Sequence, residues 1–241
     1  MFEGKRYWIV GASEGLGHAL AQALDAKGAA LVLSARNADR LTALAEGLHD
    51  AAPLPLDVTD RASIEQAAAQ AGEVDGVIYC AGFYEPANAA DWARDAVEAM
   101  CEVNFMGAVR LLGRVVPGFA ARGAGHVVLI GSLAGYRGLP DSVGYGASKA
   151  GLMNLGESLY ADLRRKGVKV QVISPGFIKT RLTEKNAFAM PQIMSPEEAA
   201  AHVVKAMESG RMSTAFPRPF AWLFTWGRFL PARLFSRILG V

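Results

Sequence analysis

Short apolar runs alternate with helix-length segments along almost the whole chain. The runs occupy residues 7–10, 30–34, 77–80, 126–130 and 168–174. Within each run apolar residues follow one another without the alternation of a half-exposed strand, which is typical of strands buried on both faces. A sheet built from such strands must be covered by helices on each side.

The segments between these runs have the character of amphipathic helices. They are rich in alanine and leucine, with apolar residues three and four positions apart, and they cover residues 16–26, 38–48, 64–71, 91–122 and 147–165. Regular alternation of strand and helix, with right-handed crossovers, predicts a single α/β domain. We expect a three-layer, doubly wound parallel sheet of the Rossmann type with helices on both faces.

The amino-acid composition indicates which kind of molecule the protein binds. The 241 residues are 51% apolar and carry a net charge of +2. A disordered chain would be poorer in apolar residues and more highly charged, and a nucleic-acid-binding domain would show a strong basic excess. The length suffices for one sizeable core. We therefore expect a small-molecule partner and no nucleic acid.

The two cysteines and the first residues of the chain indicate the cellular compartment of the protein. Cys80 and Cys101 are too few for a disulfide framework and have no zinc-site spacing, so we expect buried free thiols and no metal. Charged Glu3, Lys5 and Arg6 precede the first strand, which does not fit a secretion signal. These features predict a cytoplasmic protein.

A glycine-rich turn follows the first predicted strand. Gly11, Gly15 and Gly17 are spaced G-x-x-x-G-x-G and lead directly into a helix. Glycines let the backbone turn sharply and approach a pyrophosphate, which the N-terminus of the helix can hold. The alternative is a tight strand–helix turn with no ligand, because the spacing differs from the common G-x-G-x-x-G dinucleotide fingerprint.

A second cluster follows the predicted strand 126–130. Ser132 lies just beyond this strand, and Tyr145 and Lys149 stand four residues apart at the start of a predicted helix. Residues four apart share one face of a helix. The three side chains could therefore meet at one strand end, where α/β sheets bind their ligands.

Taken together, these residues resemble the short-chain dehydrogenase/reductase family over nearly the whole chain. The matching features are the glycine turn, the aspartate of Leu-Asp-Val, the Ala-Gly of Tyr-Cys-Ala-Gly, Val-Asn-Phe-Met-Gly, the serine–tyrosine–lysine set and Pro-Gly-x-x-x-Thr. The resemblance implies a nicotinamide cofactor. We expect it to bind along Gly11, Ser13, Gly15, Leu16, Gly17, Asp57, Val58, Ala81, Gly82, Tyr145, Lys149, Pro175, Gly176, Ile178 and Thr180.

The resemblance also implies a catalytic set of Asn104, Ser132, Tyr145 and Lys149. Tyr145 would donate or accept the proton, Ser132 would orient and polarise the carbonyl, and Lys149 would hold the nicotinamide ribose. Asn104 would hold a water that links Lys149 to solvent. Taken singly, each residue has an ordinary alternative, as a helix polar group, a strand-end cap or a half-buried aromatic.

Tyrosine is a poor acid or base at neutral pH unless its surroundings lower its pKa, which lies near 10. A cation about 4 Å away, in an effective dielectric of about 20, stabilises the phenolate by up to ~4 kcal/mol, which would bring that pKa near 7. Lys149 is placed to be this cation. We therefore expect Lys149 to lower the pKa of Tyr145.

The end of the second predicted strand bears on the choice of cofactor. NAD-binding folds usually place an acid there for the ribose 2′-OH, whereas this chain has Arg36, whose planar guanidinium suits the 2′-phosphate of NADP. Glu14 in the glycine turn would repel that phosphate, and Arg36 could instead be a solvated surface residue. We expect NADP to be preferred, with NAD as the alternative.

The last third of the chain suggests a lid and a tail. We divide the chain into a catalytic domain over residues 1–215, with a substrate lid at about 181–195, and a tail over 216–241. Apolar residues in the lid favour a small or medium apolar substrate. The tail combines tryptophan, phenylalanine and arginine without any acid, which fits a helix lying on a membrane surface. Its alternatives are an arm that closes the pocket or packs on a second subunit.

These features predict an oxidoreductase that moves a hydride between a nicotinamide cofactor and a carbonyl or alcohol. The alternative is a catalytically idle dinucleotide-binding module, acting as a redox sensor or as a peripheral membrane scaffold at the inner surface of the membrane. The family resemblance further implies a homodimer or homotetramer.

Overall fold

A computed structural model describes residues 1–186 and 188–238. Ala187 of the predicted lid and residues 239–241 of the predicted tail lie outside the described residues. All five predicted strands and all five predicted helical segments fall within the described part of the chain.

A parallel sheet of seven strands forms the centre of the fold. Its spatial order is β3-β2-β1-β4-β5-β6-β7, and every neighbouring pair is parallel. The strands are β1 Arg6–Val10, β2 Ala30–Ser34, β3 Ala51–Pro53, β4 Gly76–Tyr79, β5 Gly125–Ile130, β6 Val168–Pro175 and β7 Ser213–Phe216. The order reverses between β1 and β4, which opens a crevice at the carboxyl ends of these strands.

Helices cover both faces of this sheet. They are α1 Gly15–Asp25, α2 Ala38–Glu46, α3 Arg61–Ala71, α4 Arg94–Cys101, α5 Gly107–Arg122, α6 Val143–Leu163, α7 Pro196–Ser209, α8 Phe220–Gly227 and α9 Ala232–Ile238. Buried side chains of α1, α2 and α7 form one core with the sheet, and those of α3, α5 and α6 form the other. The predicted three-layer, doubly wound α/β fold is confirmed.

Three elements differ from the sequence prediction. The edge strands β3 and β7 were not predicted, because each is short and partly exposed and so lacks a continuous apolar run. The predicted helix over residues 91–122 is divided by a π-helical turn at Glu102–Met106. The predicted boundary between residues 215 and 216 falls inside β7, where Phe216 is buried.

A capping box at Ser195 and Glu198 fixes the start of α7. The Ser195 hydroxyl accepts a hydrogen bond from the Glu198 backbone N–H (3.1 Å), and the Glu198 carboxylate accepts one from the Ser195 N–H (2.8 Å). Pro196 takes the first helical position, where its missing N–H costs nothing. This reciprocal capping fixes the point at which the chain leaves the lid and enters α7.

The tail folds back on the segment that follows β5. Its buried residues Ala221, Phe224 and Phe235 pack against Leu133, and the Arg137 guanidinium donates to backbone carbonyls of the tail. Over the described residues, none of the helices is both long and apolar enough to cross a bilayer. Through the contacts with Leu133 and Arg137, the tail packs beside the end of β5.

A buried polar network ties β1, β5 and β6 together. The Tyr7 hydroxyl lies 2.9 Å from Nδ1 of His126, and Nε2 of His126 lies 2.8 Å from the Gln171 amide oxygen. Burial, with a smaller effect of the Lys169 charge, lowers the pKa of His126 to about 4. His126 is therefore neutral in the folded protein at neutral pH.

This network predicts a specific loss of stability in mild acid. Between pH 6.5 and about 4 the unfolded chain binds a proton at His126 that the folded chain excludes, so stability is complete above this window and falls as the pH drops through it. The shift is worth about 3 kcal/mol. Urea unfolding from pH 7 to 4.5 should show a shallower pH dependence for His126→Gln than for the wild type. Exposed His202→Gln is the control, and parallel curves for the His126 variant and the wild type would refute the assignment.

Candidate active site

A cleft with a volume of about 1070 Å³ opens at the carboxyl ends of β1, β4, β5 and β6. It is lined by every residue predicted to bind cofactor, together with Ser132. Those residues are Gly11, Ser13, Gly15, Leu16, Gly17, Arg36, Asp57, Val58, Ala81, Gly82, Tyr145, Lys149, Pro175, Gly176, Ile178 and Thr180. Asn104 is buried behind the cleft wall instead.

The glycine turn makes the closest backbone approach in the cleft. Gly11 has φ +98°, and a Cβ there would lie 2.5 Å from the Ala81 backbone nitrogen. A Cβ on Gly17 would overlap the Gly11 carbonyl oxygen. Only glycine therefore allows β1, the start of α1 and the end of β4 to meet so closely.

This turn fits a dinucleotide. Gly15 has φ +55° and faces Thr180 across the cleft, and α1 begins with no side-chain hydrogen bond from its N-cap residue, Glu14. The first backbone N–H groups of α1 are thus free of a side-chain partner at the positive end of the helix dipole. That arrangement suits a pyrophosphate.

Ser132, Tyr145 and Lys149 come together beyond β5. Ser132 caps a short 3₁₀ turn, its hydroxyl accepting from the Ala134 backbone N–H (3.2 Å). Tyr145 and Lys149 lie one turn apart near the start of α6, with the Lys149 Nζ 5.8 Å from the Tyr145 ring centroid. The Lys149 Nζ also donates to the Ile130 carbonyl (2.8 Å), so the end of β5 anchors both parts of the cluster.

The pKa of Tyr145 is raised rather than lowered. Burial raises it most, and a hydrogen bond with the Ser132 hydroxyl opposes that effect. Burial also lowers the pKa of Lys149 to about 8, with Cys80 acting in the opposite direction. The Lys149 ammonium is still mostly protonated at pH 7, but it donates to the Ile130 carbonyl, and burial dominates the pKa of Tyr145 in place of the expected effect of the lysine.

Asn104 holds a loop in place rather than facing the cleft. Its Oδ1 accepts from the Phe83 backbone N–H (2.7 Å), and its Nδ2 donates to the Phe83 carbonyl (2.9 Å) and the Ser148 hydroxyl (3.0 Å). Asn104 lies in the π-helical turn between α4 and α5. Both amide donors are thus used on protein groups.

Glu14 joins two arginines at the mouth of the cleft. Its carboxylate lies 2.6 Å from the guanidinium of Arg40 in α2 and 2.6 Å from that of Arg181 at the start of the predicted lid. Arg36 is exposed and lines the same end of the cleft. The negative charge that sequence reasoning set against a 2′-phosphate is therefore already paired with positive charge.

Two features of the cleft differ from or extend the sequence analysis. Cys80 and Cys101 are free, as expected, but only partly buried, and Cys80 lines the cleft. Tyr84 was missed: its ring packs edge-to-face on Tyr145, with centroids 5.1 Å apart. Sequence offered no signal for Tyr84, because only the fold brings the end of β4 beside α6.

The fold and the cleft define a dinucleotide-binding α/β protein with serine, tyrosine and lysine at one strand end. The family model for short chain dehydrogenase matches residues 5–190. An uncharacterized oxidoreductase of Myxococcus xanthus is 37% identical over 236 residues, covering 95% of this chain and 93% of that protein. The chain therefore belongs to the short-chain dehydrogenase/reductase family and is a nicotinamide-dependent oxidoreductase.

Solved structures agree with this assignment. A short-chain dehydrogenase from Sphingobium yanoikuyae in complex with NADPH has a TM-score of 0.83 and 25% identity, covering 98% of this chain and 94% of that one. A short chain dehydrogenase from Burkholderia cenocepacia in complex with NADP has a TM-score of 0.88 at 24% identity, covering 99% of each chain, and shows the shared fold.

Proposed function

We propose that this oxidoreductase interconverts a carbonyl and an alcohol on a small or medium apolar molecule, with NADP as the preferred cofactor. The observation that carries this proposal is the meeting of Ser132, Tyr145 and Lys149 beside a cleft that fits a dinucleotide. An idle binding module, the alternative from sequence, has no use for such a cluster. Turnover of any carbonyl compound separates the two.

The proposed chemistry assigns one task to each side chain. The bound nicotinamide supplies or accepts the hydride. The Ser132 hydroxyl orients the substrate oxygen and stabilises negative charge that develops on it. Because its pKa is raised, the Tyr145 phenol is protonated at neutral pH and can donate its proton to that oxygen. Lys149 holds the ribose and, with a pKa of about 8, can return a proton towards Tyr145.

Removing the phenol tests this assignment. Tyr145→Phe should lower kcat by about 10²- to 10⁴-fold, the usual contribution of a positioned acid or base. It should leave NADPH affinity nearly unchanged, because the ring and its packing on Tyr84 are kept. Steady-state kinetics and a binding titration measure the two effects. A fully active variant would remove Tyr145 from the mechanism.

The charges at the cleft mouth support the preference for NADP. No acid ends β2, whereas Arg36 lines the cleft there with a guanidinium suited to a phosphate. Arg40 and Arg181 balance the carboxylate of Glu14. The four side chains together carry an excess of positive charge where a 2′-phosphate would lie.

Arg36→Ala tests this preference. A charge-assisted hydrogen bond contributes about 1.5–3 kcal/mol, so the affinity for NADPH should fall by about 10- to 100-fold and that for NADH should change little. Arg94→Ala is the matched control, since Arg94 is an exposed arginine on α4 that pairs with Glu98. Equal losses for both cofactors would contradict the NADP preference.

Other parts of the proposal concern the lid, the tail and assembly. We assign residues 181–195 to a lid over an apolar substrate, residues up to 215 to catalysis and residues 216–241 to a separate role. A homodimer or homotetramer is the proposed assembly, which light scattering would distinguish from a monomer.

The tail presents tryptophans outward and arginines beside them, which supports a contact with an anionic membrane surface. Trp222 and Trp226 are 51% and 70% exposed and lie four residues apart on α8. The double variant Trp222→Ser/Trp226→Ser should therefore co-sediment less with phosphatidylglycerol vesicles than the full wild-type chain does. Trp92→Ser, at a 57% exposed tryptophan outside the tail, is the control. Equal sedimentation of all three proteins would exclude the membrane contact.

A further inference from the structure

The loop that follows β4 contacts three functional parts of the protein. Asn104 fixes it to the core through both backbone groups of Phe83. Tyr84 contacts the catalytic tyrosine on one side and the lid on the other. Glu85 forms an ion pair with Lys185 of the lid (2.6 Å).

Tyr84 makes two contacts with opposite ends of its side chain. Its ring lies edge-to-face on the Tyr145 ring, with centroids 5.1 Å apart and planes at 77°. Its hydroxyl donates to Oδ1 of Asn186 (2.8 Å). One half-buried side chain thus spans the distance between α6 and the lid.

We propose that Tyr84 is a positioning residue that makes the orientation and burial of Tyr145 depend on closure of the lid segment 181–186. This inference rests on the proposed function, in which Tyr145 is the proton donor. Tyr84 does not touch the reacting atoms. It acts through the ring packing on Tyr145 and through its hydrogen bond to Asn186.

The lid contacts both the backbone and the side chain of Tyr84. The Lys185 Nζ donates to the Tyr84 carbonyl (3.1 Å), so the lid holds both the backbone and the side chain of this residue. On the other side of the cleft, Arg181 pairs with Glu14 of the glycine turn. The lid segment is therefore fastened to both cleft walls, and opening it must break contacts of Tyr84.

Breaking those contacts has a defined consequence for Tyr145. Burial is the main reason that the pKa of Tyr145 is raised, and the Tyr84 ring covers part of it. When the lid releases the Tyr84 hydroxyl, that ring is free to turn away and water can reach the phenol. The raised pKa and the alignment of Tyr145 thus depend on the lid being closed.

A double-mutant cycle tests the link to the lid without requiring turnover. Tyr84→Phe and Asn186→Ala each remove one partner of the hydrogen bond and keep the Tyr84 ring. Each should increase tryptic cleavage at Arg181 and Lys185 several-fold, and the double variant should be cleaved no faster than the faster single variant. Effects that multiply in the double variant would show two independent roles and overturn the link.

The link to Tyr145 is tested by comparing two substitutions at one position. Tyr84→Leu should lower kcat at least tenfold and shift the pH profile of kcat, because the ring that covers Tyr145 is lost. Tyr84→Phe keeps the ring but loses the hydrogen bond that holds it, so its kcat should lie between those of Tyr84→Leu and the wild type. Tyr160→Leu, at a partly exposed tyrosine of the same helix as Tyr145, is the control. A Tyr84→Leu variant with the kcat and pH profile of the wild type would refute the proposal.

Failure of the proposed function can be distinguished from failure of the proposed role of Tyr84. If the wild type reduces no carbonyl compound, the proposed function fails, and the ionisation of Tyr145 can still be followed as the difference in tyrosinate absorbance between each chain and its Tyr145→Phe counterpart. The proposal then expects Tyr145 to ionise at lower pH in Tyr84→Leu than in the wild type. An unchanged ionisation would refute the role of Tyr84 independently of turnover. NADPH affinity and thermal unfolding check that each variant is folded.

Discussion

The close approach of Gly11 to Ala81 is the constraint on which the rest of the site depends. A side chain at Gly11 would collide with the backbone after β4, and one at Gly17 would collide with the Gly11 carbonyl. Glycine at both positions therefore lets the carboxyl ends of β1 and β4 meet the start of α1. This contact sets the crevice at the point where strand order reverses. The same end of β4 continues into the Phe83–Glu85 loop, so the close approach of β1 and β4 positions both the glycine turn and Tyr84, the neighbour of Tyr145.

The electrostatics of the site follow from burial more than from paired charges. Burial raises the pKa of Tyr145 and lowers that of Lys149 to about 8, which moves the two pKa values apart and favours return of a proton from Lys149 to an ionised Tyr145. Exposed charges matter instead at the mouth of the cleft, where Glu14 lies between Arg40 and Arg181.

The central strands could be predicted from sequence because a strand buried on both faces has a continuous apolar run. The residues that line the cleft at the strand ends could be predicted from the spacing of the glycines and of Tyr145 and Lys149. The edge strands β3 and β7 could not, since one side of each is open and the run is lost. The π-helical turn at Glu102–Met106 has no pattern of its own within a helical stretch. The contact of Tyr84 with Tyr145 joins residues 61 positions apart in the chain, which only the packed fold brings together.

The most direct test of this account is a fluorescence titration of the wild-type protein with NADPH and, separately, with NADH. Energy transfer from the four tryptophans to the reduced nicotinamide reports binding. The account predicts saturable binding of both cofactors in the cleft, with NADPH bound at least about tenfold more tightly, as expected for one charge-assisted contact to the 2′-phosphate. Absence of saturable binding for either cofactor would contradict it.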